Sequence, residues 1–317
     1  MHSKSKKMTK NEVTGHLASF GCYAIFGLNI VLCKDIANSE ELTPYALFFL
    51  RAVGATALFW ITSLFTPKET IERHDMLKIV LAAFIGMFMP QMTFLIGITM
   101  TTSIDSSILG SLTPIFTMFF AAYFVKEPIT WKKIIGVVLC FAGVVMLVTN
   151  SMLHHNGTVQ HTSPTGIVLL ILNALCFALY VGAFKPLISR YHVITFMKWM
   201  FLYTLLICLP FCIGDASDLV SDIIDNGFHI PENVVWETLF VIVFATFIAY
   251  FLVPIGQKNI RPTMVSMYSY VQPILAVIIS ICIGIDTLTW TKVTALLLVT
   301  TGVFIINCAR WKKWQKN

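Results

Sequence analysis

The sequence predicts an all-α polytopic membrane protein, with ten transmembrane helices arranged as two inverted five-helix repeats. Three observations predict this class: an apolar composition, a set of long segments without charged residues, and an internal repeat. The 317 residues are 57% hydrophobic and 12% charged, and their mean hydropathy is +0.79. Because a soluble domain carries about twice that share of charged residues, this composition excludes a soluble enzyme.

The charged residues leave nine charge-free segments of at least 16 residues. A helix needs about 20 apolar residues to cross a bilayer core about 30 Å thick, so each segment of roughly that length predicts one span. The longest segment, 134–184, contains a polar stretch at 154–165 and therefore predicts two spans. The segments are 13–33, 52–67, 79–104, 106–125, 134–184, 199–214, 238–257, 262–285 and 293–309.

The basic residues orient these spans. All but three of the 22 Lys and Arg residues fall on the side of the membrane that also holds both termini, the exceptions being Lys34, Arg51 and Lys292. Cytoplasmic loops carry the excess of Lys and Arg in membrane proteins. We therefore expect a multi-pass protein of the plasma membrane with both termini cytoplasmic. In a cell with two membranes, this is the inner membrane. Membrane topology accounts for the net charge of +6, so no nucleic-acid partner is expected.

The chain repeats itself at an offset of 159 residues, which aligns Pro114 with Pro273 and Trp131 with Trp290. With a shorter early loop, an offset of 151 residues also pairs Phe26 with Phe177. An odd number of spans in each repeat makes the second repeat enter the membrane from the opposite side, as in many secondary transporters. The predicted organisation is a cytoplasmic tail at 1–13, a first repeat at 14–150, an external hairpin at 151–164, a second repeat at 165–309 and a cytoplasmic tail at 310–317.

Three short motifs occur in both repeats. The first repeat has S-L-T-P-I-F at 111–116, K-E-P-I-T-W at 126–131 and G-V at 143–144, and the second has Y-V-Q-P-I at 270–274, D-T-L-T-W at 286–290 and G-V at 302–303. This pattern resembles that of the EamA-type transporters in the drug/metabolite transporter superfamily. The resemblance implies a ten-helix transporter whose central cavity is lined mainly by helices one, three, four, six, eight and nine. It does not imply a substrate.

Uncharged polar and aromatic residues are concentrated in those inner helices. A buried amide or hydroxyl needs hydrogen-bond partners, and a cavity that holds water or solute supplies them. Taken singly, each residue is also consistent with a hydrogen bond between helices. The candidate substrate-cavity residues are Asn29, Gln91, Ser107, Ser111, Tyr180, Tyr250, Tyr268, Tyr270 and Gln272.

Four charged residues lie within or beside predicted spans. Arg51 lies in an otherwise apolar stretch, where a charge is costly unless it faces water or a partner. We expect Asp105 to be its partner, in an ion pair that is either structural or functional, and to carry any proton coupling. If the two do not interact, contact with an anionic group of the solute is the simplest role for Arg51. Lys34 and Lys185 end helices one and six, where headgroup anchoring is favoured over substrate contact.

Pro114 and Pro273 occupy equivalent positions in the two repeats. A proline inside a span removes a backbone hydrogen bond, which membrane helices tolerate beside a cavity or a neighbouring helix. We therefore predict that both prolines mark hinges beside the cavity; packing alone is the alternative.

The predicted function is a secondary transporter that moves a small organic solute such as an amino acid, with export as the expected direction. Uniport, exchange and proton coupling all remain open, and the oligomeric state is not predicted. One alternative is an exchanger of nucleotide sugars or sugar phosphates, which would require several cavity cations. Another is a membrane-embedded enzyme acting on lipids, but no helix carries a catalytic constellation. No cofactor or metal site is expected.

Overall fold

The computed structural model describes residues 9–124, 131–153, 162–226, 229–284 and 289–311, and these ranges contain helices and no strand. The predicted motif segments at 126–130 and 286–288 lie outside the described residues. So do most of the predicted hairpin at 151–164 and parts of both tails.

Ten long helices lie within the described ranges, and several contain an irregular turn. Their bounds are α1 Lys10–Ser39, α2 Pro44–Ser63, α3 Arg73–Thr99, α4 Ser103–Phe124, α5 Trp131–Leu153, α6 Pro164–Ala183, α7 Val193–Asn226, α8 Glu232–Asn259, α9 Pro262–Ile283 and α10 Trp290–Trp311. A one-turn helix at Lys185–Ile188 follows α6.

Eight of these helices, all except α5 and α10, are long and apolar enough to cross a membrane. The other two are 23 and 22 residues long, and α5 contains an apolar segment at 134–143. Large side chains such as Tyr123, Trp131 and Trp290 are more than three-quarters exposed on the helix surfaces. Because such surfaces are stable only in a lipid environment, the protein is a multi-pass membrane protein.

Several helix starts are fixed by side-chain caps. The Thr43 hydroxyl accepts a hydrogen bond from the backbone N–H of Ala46, and Pro44 fills the first position of α2. Ser163 and Pro164 begin α6 in the same way. A hydroxyl at the cap satisfies a backbone donor that the helix leaves open, and proline is tolerated where no donor is needed. These residues place the helix starts close to the ends of the predicted charge-free segments.

Regular α-helix is interrupted in four helices. π-helical segments occur at Phe84–Phe88 in α3 and Val241–Ile248 in α8. In α4, a turn at 111–112 separates Ser103–Gly110 from Thr113–Phe124, and in α9 a 3₁₀ segment at Tyr268–Tyr270 precedes Val271–Ile283. These interruptions occur in α3 and α4 of the first predicted repeat and in α8 and α9 of the second.

The helices pack in pairs that cross between the two predicted repeats. α5 packs on α10 and α2 packs on α7; α1 contacts α8 and α9, and α6 contacts α3 and α4. The α5–α10 pair is held closely by glycine: a Cβ placed on Gly302 would lie 2.5 Å from the carbonyl oxygen of Gly136. The inner helices α1, α3, α4, α6, α8 and α9 therefore surround the centre of the bundle.

Candidate functional site

A cavity lies at the centre of the bundle, with an empty volume of about 640 Å³ that includes space open to solvent. Its walls come from the six inner helices and, through Arg51, from α2. The residues that line it are Tyr23, Phe26, Asn29, Ile30, Arg51, Pro90, Gln91, Phe94, Ser106, Gly110, Thr113, Leu170, Asn173, Phe177, Tyr250 and Gln272.

The broken helices position two of the polar groups in this wall. Thr113 begins the second segment of α4, where its hydroxyl donates to the carbonyl oxygen of Gly110 at 2.7 Å. Gln272 lies one residue into the corresponding segment of α9. A Cβ on Gly110 would lie 3.3 Å from the Oε1 atom of Gln272, so the bare glycine backbone brings α4 and α9 together at the cavity.

Arg51 is the cation among the described residues that line the cavity, and it is 2% exposed. Its Nε donates to the hydroxyl of Thr246 at 2.9 Å, and that hydroxyl donates to the carbonyl oxygen of Val241 at 2.7 Å. Thr246 and Val241 both belong to the π-helical segment of α8, so this segment anchors the guanidinium. Among the described residues, the Arg51 Nη1 atom has no hydrogen-bond partner.

Two further buried polar atoms in the cavity wall have no partner within the described residues. They are the phenol oxygen of Tyr23 and the Oε1 atom of Gln91. A buried polar group without a hydrogen bond destabilises the fold unless water or a ligand satisfies it. Together with the Arg51 Nη1 atom, these atoms form a set of donors and acceptors suited to a polar ligand.

Aromatic rings form the apolar part of the wall. The ring of Phe26 lies edge-on to Phe177, with centroids 6.1 Å apart, and to Tyr250, with centroids 5.4 Å apart. On another side of the cavity, the amide nitrogen of Asn173 donates to the carbonyl oxygen of Pro90 at 2.7 Å. The Asn173 side chain thereby joins α6 to α3 at Pro90, a residue that has no backbone N–H to donate.

Four of the nine predicted cavity residues line the cavity: Asn29, Gln91, Tyr250 and Gln272. The other five do not. Ser107 and Ser111 donate to backbone carbonyls of their own helix, at 2.6 and 3.1 Å. Tyr180 is fully buried against Gly86, and Tyr268 is hydrogen-bonded to His16 at 2.8 Å. Tyr270 lies in the 3₁₀ segment and is likewise absent from the cavity wall.

The predicted pairing of Arg51 with Asp105 is wrong. Asp105 lies in the first turn of α4, where its carboxylate accepts a hydrogen bond from the Thr162 hydroxyl, whereas Arg51 reaches Thr246 on α8. The ion pairs found among the described residues do not join the two side chains. The pairing had been predicted because Asp105 was the carboxylate close to a span in the first half of the sequence, but the two side chains contact different elements.

Lys34, Lys185 and the two prolines also lie outside the cavity wall. Lys34 Nζ donates to the carbonyl oxygen of Ile98 at 3.2 Å, and Lys185 Nζ donates to that of Ile260 at 2.6 Å. Pro114 and Pro273 each lie in the first turn of a helical segment that follows a break. In this position proline sacrifices no hydrogen bond of its own segment, and it lacks the N–H donor that would continue the preceding segment through the break.

Several cavity residues were not predicted from the sequence, among them Tyr23, Ser106, Thr113 and Asn173. Asn173 carried a usable signal, since it is an amide in the middle of an apolar span. Phe26 and Phe177 had been recognised as repeat partners but not as cavity residues. The others lacked a distinguishing mark, because Ser106 and Thr113 differ from their neighbours only in the direction they face.

A sequence profile of the EamA-like transporter family matches residues 13–149 and 164–308. The chain belongs to this family. The membership indicated by the motifs is therefore confirmed, and it makes the chain a membrane transporter.

Relatives of this EamA-like transporter align with most of its length at low sequence identity. The uncharacterized transporter YetK of Bacillus subtilis is 22% identical over 302 residues, which cover 94% of this chain and 88% of that protein. An uncharacterized transporter of Archaeoglobus fulgidus is 23% identical over 265 residues, covering 84% and 89%. A crystal structure with 12% identity superposes over 98% of this chain and 100% of its own, with a TM-score of 0.63. That likeness shows a shared fold.

Proposed function

We propose that this chain is a secondary transporter that binds a small organic solute with one anionic group, such as an amino acid, in the central cavity. The observation that carries the proposal is the buried Arg51 guanidinium, which is anchored through Nε and whose Nη1 has no partner among the residues that the structure describes. A carboxylate is the natural partner for such a group, because a charge-assisted hydrogen bond is stronger than a neutral one. This role replaces the ion pair with Asp105.

We propose alternating access as the mechanism, on the basis of ten predicted spans in two predicted inverted repeats. Three residue pairs related by the repeat offsets line the same cavity: Phe26 with Phe177, Gln91 with Tyr250, and Thr113 with Gln272. The packing supports the same symmetry, since α1 contacts α8 and α9 just as α6 contacts α3 and α4. Solute sites between inverted repeats are common in secondary transporters. The helix breaks at 111–112 and 268–270 are the proposed hinges.

The composition of the cavity favours an amino-acid-like solute over a sugar phosphate or nucleotide sugar. Phosphate groups carry more negative charge than a carboxylate and are bound by clusters of cations, whereas Lys34 and Lys185 are directed to backbone carbonyls elsewhere. The rings of Phe26 and Phe177 suit the apolar part of an amphipathic metabolite. We further propose a plasma-membrane location with both termini cytoplasmic, and export as the direction of transport.

A counterflow screen in proteoliposomes tests this function. Labelled amino acids, polyamines, nucleosides and sugar phosphates are offered to the wild type, to Arg51→Gln and to Lys198→Gln. Lys198 is a suitable control because it lies 5.2 Å from the centre of the Trp60 ring, away from the cavity. We expect exchange of a monocarboxylate, with half-saturation weakened about 10- to 150-fold in Arg51→Gln and unchanged in Lys198→Gln.

Exchange of polyamines alone, or wild-type affinity in Arg51→Gln, would overturn the proposal. Uptake by vesicles of known orientation also tests the direction. Export requires that right-side-out vesicles preloaded with solute lose it faster than inside-out vesicles do.

Proton coupling, if present, is assigned to Asp105. This carboxyl group is 7% exposed and accepts a hydrogen bond from the Thr162 hydroxyl. Buried carboxyl groups often carry protons in membrane transporters, which supports the assignment. We expect Asp105→Asn to abolish uptake driven by a pH gradient and to leave counterflow intact, because counterflow needs only the solute site to alternate. Unchanged pH-driven uptake would make Asp105 a structural residue.

A further inference from the structure

A second cavity opens on the side of the bundle, between α3, the end of α4 and the end of α6, with an empty volume of about 820 Å³. We call it the lateral groove. Its walls are apolar and include Leu81 and Ile85 on α3, Leu179 on α6 and Leu187 on the following turn. Leu81 is 51% exposed. The lateral groove is therefore an apolar slot that faces the lipid.

Two cations stand at one end of the lateral groove. Lys78 Nζ and Arg190 Nη1 contact the two carboxylate oxygens of Asp75, at 2.7 and 2.9 Å. The Asp75 side chain is fully buried, whereas those of Lys78 and Arg190 are 42% and 57% exposed. One carboxylate thus faces two cations, which leaves one positive charge uncompensated within this trio. An ammonium has three donors and a guanidinium has five, so both groups retain N–H donors.

The position of these cations matches the boundary between headgroups and acyl chains. Lys78 lies in the second turn of α3, and Arg190 lies between α6 and α7, so both are near the ends of spans. Leu81 and Ile85 follow Lys78 at intervals of three and four residues, which places them on the same helix face, deeper in the membrane. Charge is therefore at the rim and apolar surface is along the wall.

We propose that the lateral groove binds an anionic phospholipid. The headgroup phosphate contacts Lys78 and Arg190, and one acyl chain lies along the apolar wall. Charge complementarity selects the headgroup, because basic pockets between transmembrane helices bind anionic lipids. The apolar wall selects a lipid over a water-soluble phosphate, which would leave that surface uncovered. This inference concerns a surface that the solute does not touch, and it holds whichever solute is transported.

A bound lipid would also join the two predicted repeats. Lys78 and Leu81 belong to the first repeat, and Leu187 and Arg190 belong to the second. The lipid would contact both repeats where Asp75 already holds Arg190. We therefore expect it to stabilise the arrangement of the repeats seen in this structure.

Native mass spectrometry of the purified full-length chain tests the proposal. The probes are phosphatidylglycerol and phosphatidylcholine with identical acyl chains, and free glycerol phosphate. We expect saturable retention of one phosphatidylglycerol, much weaker retention of phosphatidylcholine and no competition by glycerol phosphate. Equal retention of the two lipids would refute the role of the cations, and displacement by glycerol phosphate would refute the role of the wall.

Variants separate the headgroup contact from the acyl-chain contact. Lys78→Gln and Arg190→Gln should each weaken phosphatidylglycerol binding about fivefold, since one cation near an anionic surface contributes about that factor. Glutamine can still donate to Asp75, which protects the fold. Arg73→Gln is the control, because Arg73 is exposed on the same helix but does not line the groove. Equal weakening by Arg73→Gln would overturn the proposal.

Ala183→Trp provides the second line of evidence. Ala183 lines the lateral groove and takes no part in the contacts of Asp75. An indole there would occupy the path of the acyl chain while leaving both cations in place, so retention of phosphatidylglycerol should fall. Undiminished binding in Ala183→Trp would contradict the proposal even if Arg190→Gln failed to fold.

Discussion

Asp75→Asn is expected to destabilise the protein by about 3 kcal/mol. Asp75 accepts hydrogen bonds from Lys78, Arg190 and Tyr191, at 2.7, 2.9 and 2.9 Å, and is fully buried. An asparagine would replace one carboxylate oxygen, an acceptor, with an NH₂ group, a donor that would face the donors of Lys78, Arg190 and Tyr191. The hydrogen bond from the buried Tyr191 hydroxyl to the charged Asp75 carboxylate contributes about 2 kcal/mol to stability. The half-exposed cations contribute about 0.5 kcal/mol each, because solvent screens them.

Tyr191 is positioned to remain a hydrogen-bond donor over the pH range of such an experiment. Burial raises the pKa of its phenol above the usual value of 10, and the hydrogen bond to the Asp75 carboxylate also raises it. The backbone N–H of Glu72, which donates to the phenol oxygen, lowers the pKa but does not cancel these effects. Burial and the neighbouring Asp75 carboxylate both raise the pKa because they disfavour the negatively charged phenolate. The stabilising bond to Asp75 should therefore persist well above neutral pH, and mild alkaline conditions should not reproduce the effect of Asp75→Asn.

The assay is thermal unfolding in detergent, monitored by intrinsic tryptophan fluorescence. A loss of about 3 kcal/mol corresponds to roughly 6–12 °C on the scale of globular domains of 150 to 250 residues. Glu72→Gln is the matched control, since its side chain is exposed on the same segment, and it should shift the midpoint little. Tyr191→Phe should cost much less in the Asp75→Asn background than in the wild type. A midpoint within about 2 °C of the wild type in Asp75→Asn would refute the reasoning.

Three further predictions concern the cavity, the hinges and the topology. Thr246→Val removes the hydroxyl that holds the Arg51 guanidinium and should raise the half-saturation concentration for solute about tenfold or more, with turnover less affected. A half-saturation concentration equal to that of the wild type would contradict the assigned contact. Pro114→Ala and Pro273→Ala should insert normally but slow flux in proteoliposomes, because a continuous helix would replace the break; wild-type flux in both would assign them to packing. A cysteine at Ser217 should react with an impermeant reagent in intact cells, whereas one at Ser189 should react only after permeabilisation; the opposite pattern would invert the proposed topology.

The sequence predicted the membrane class and the approximate helix positions because these depend on hydropathy and on capping residues. The segment 79–104 lies almost entirely within α3 and the turn after it, and Thr102 ends that stretch by capping α4. The irregular turns could not be predicted. No residue pattern at 84–88 or 241–248 distinguishes a π-helix from an α-helix, since these segments are simply apolar.

The rotation of each helix about its axis was also beyond sequence reasoning. In a soluble protein, the polar face of a helix shows which side is exposed, but a membrane helix is apolar on the lipid side and on much of the packed side. Ser106 lines the cavity whereas Ser107 bonds to the carbonyl oxygen of Ile104, and composition cannot tell the two apart. The partner of Arg51 was mispredicted for the same reason.

Two contacts between the predicted repeats lie at different depths, and they should respond differently to alternating access. Arg51 on α2 holds Thr246 on α8 at the cavity, and Asp75 on α3 holds Arg190 near the membrane surface. If the repeats rock about an axis through the central cavity, displacement grows with distance from that axis. The Arg51–Thr246 bond should then survive the transition, which keeps the guanidinium oriented toward solute in both states. The Asp75–Arg190 contact should lengthen, so whatever stabilises it, including a lipid in the lateral groove, favours the state seen here.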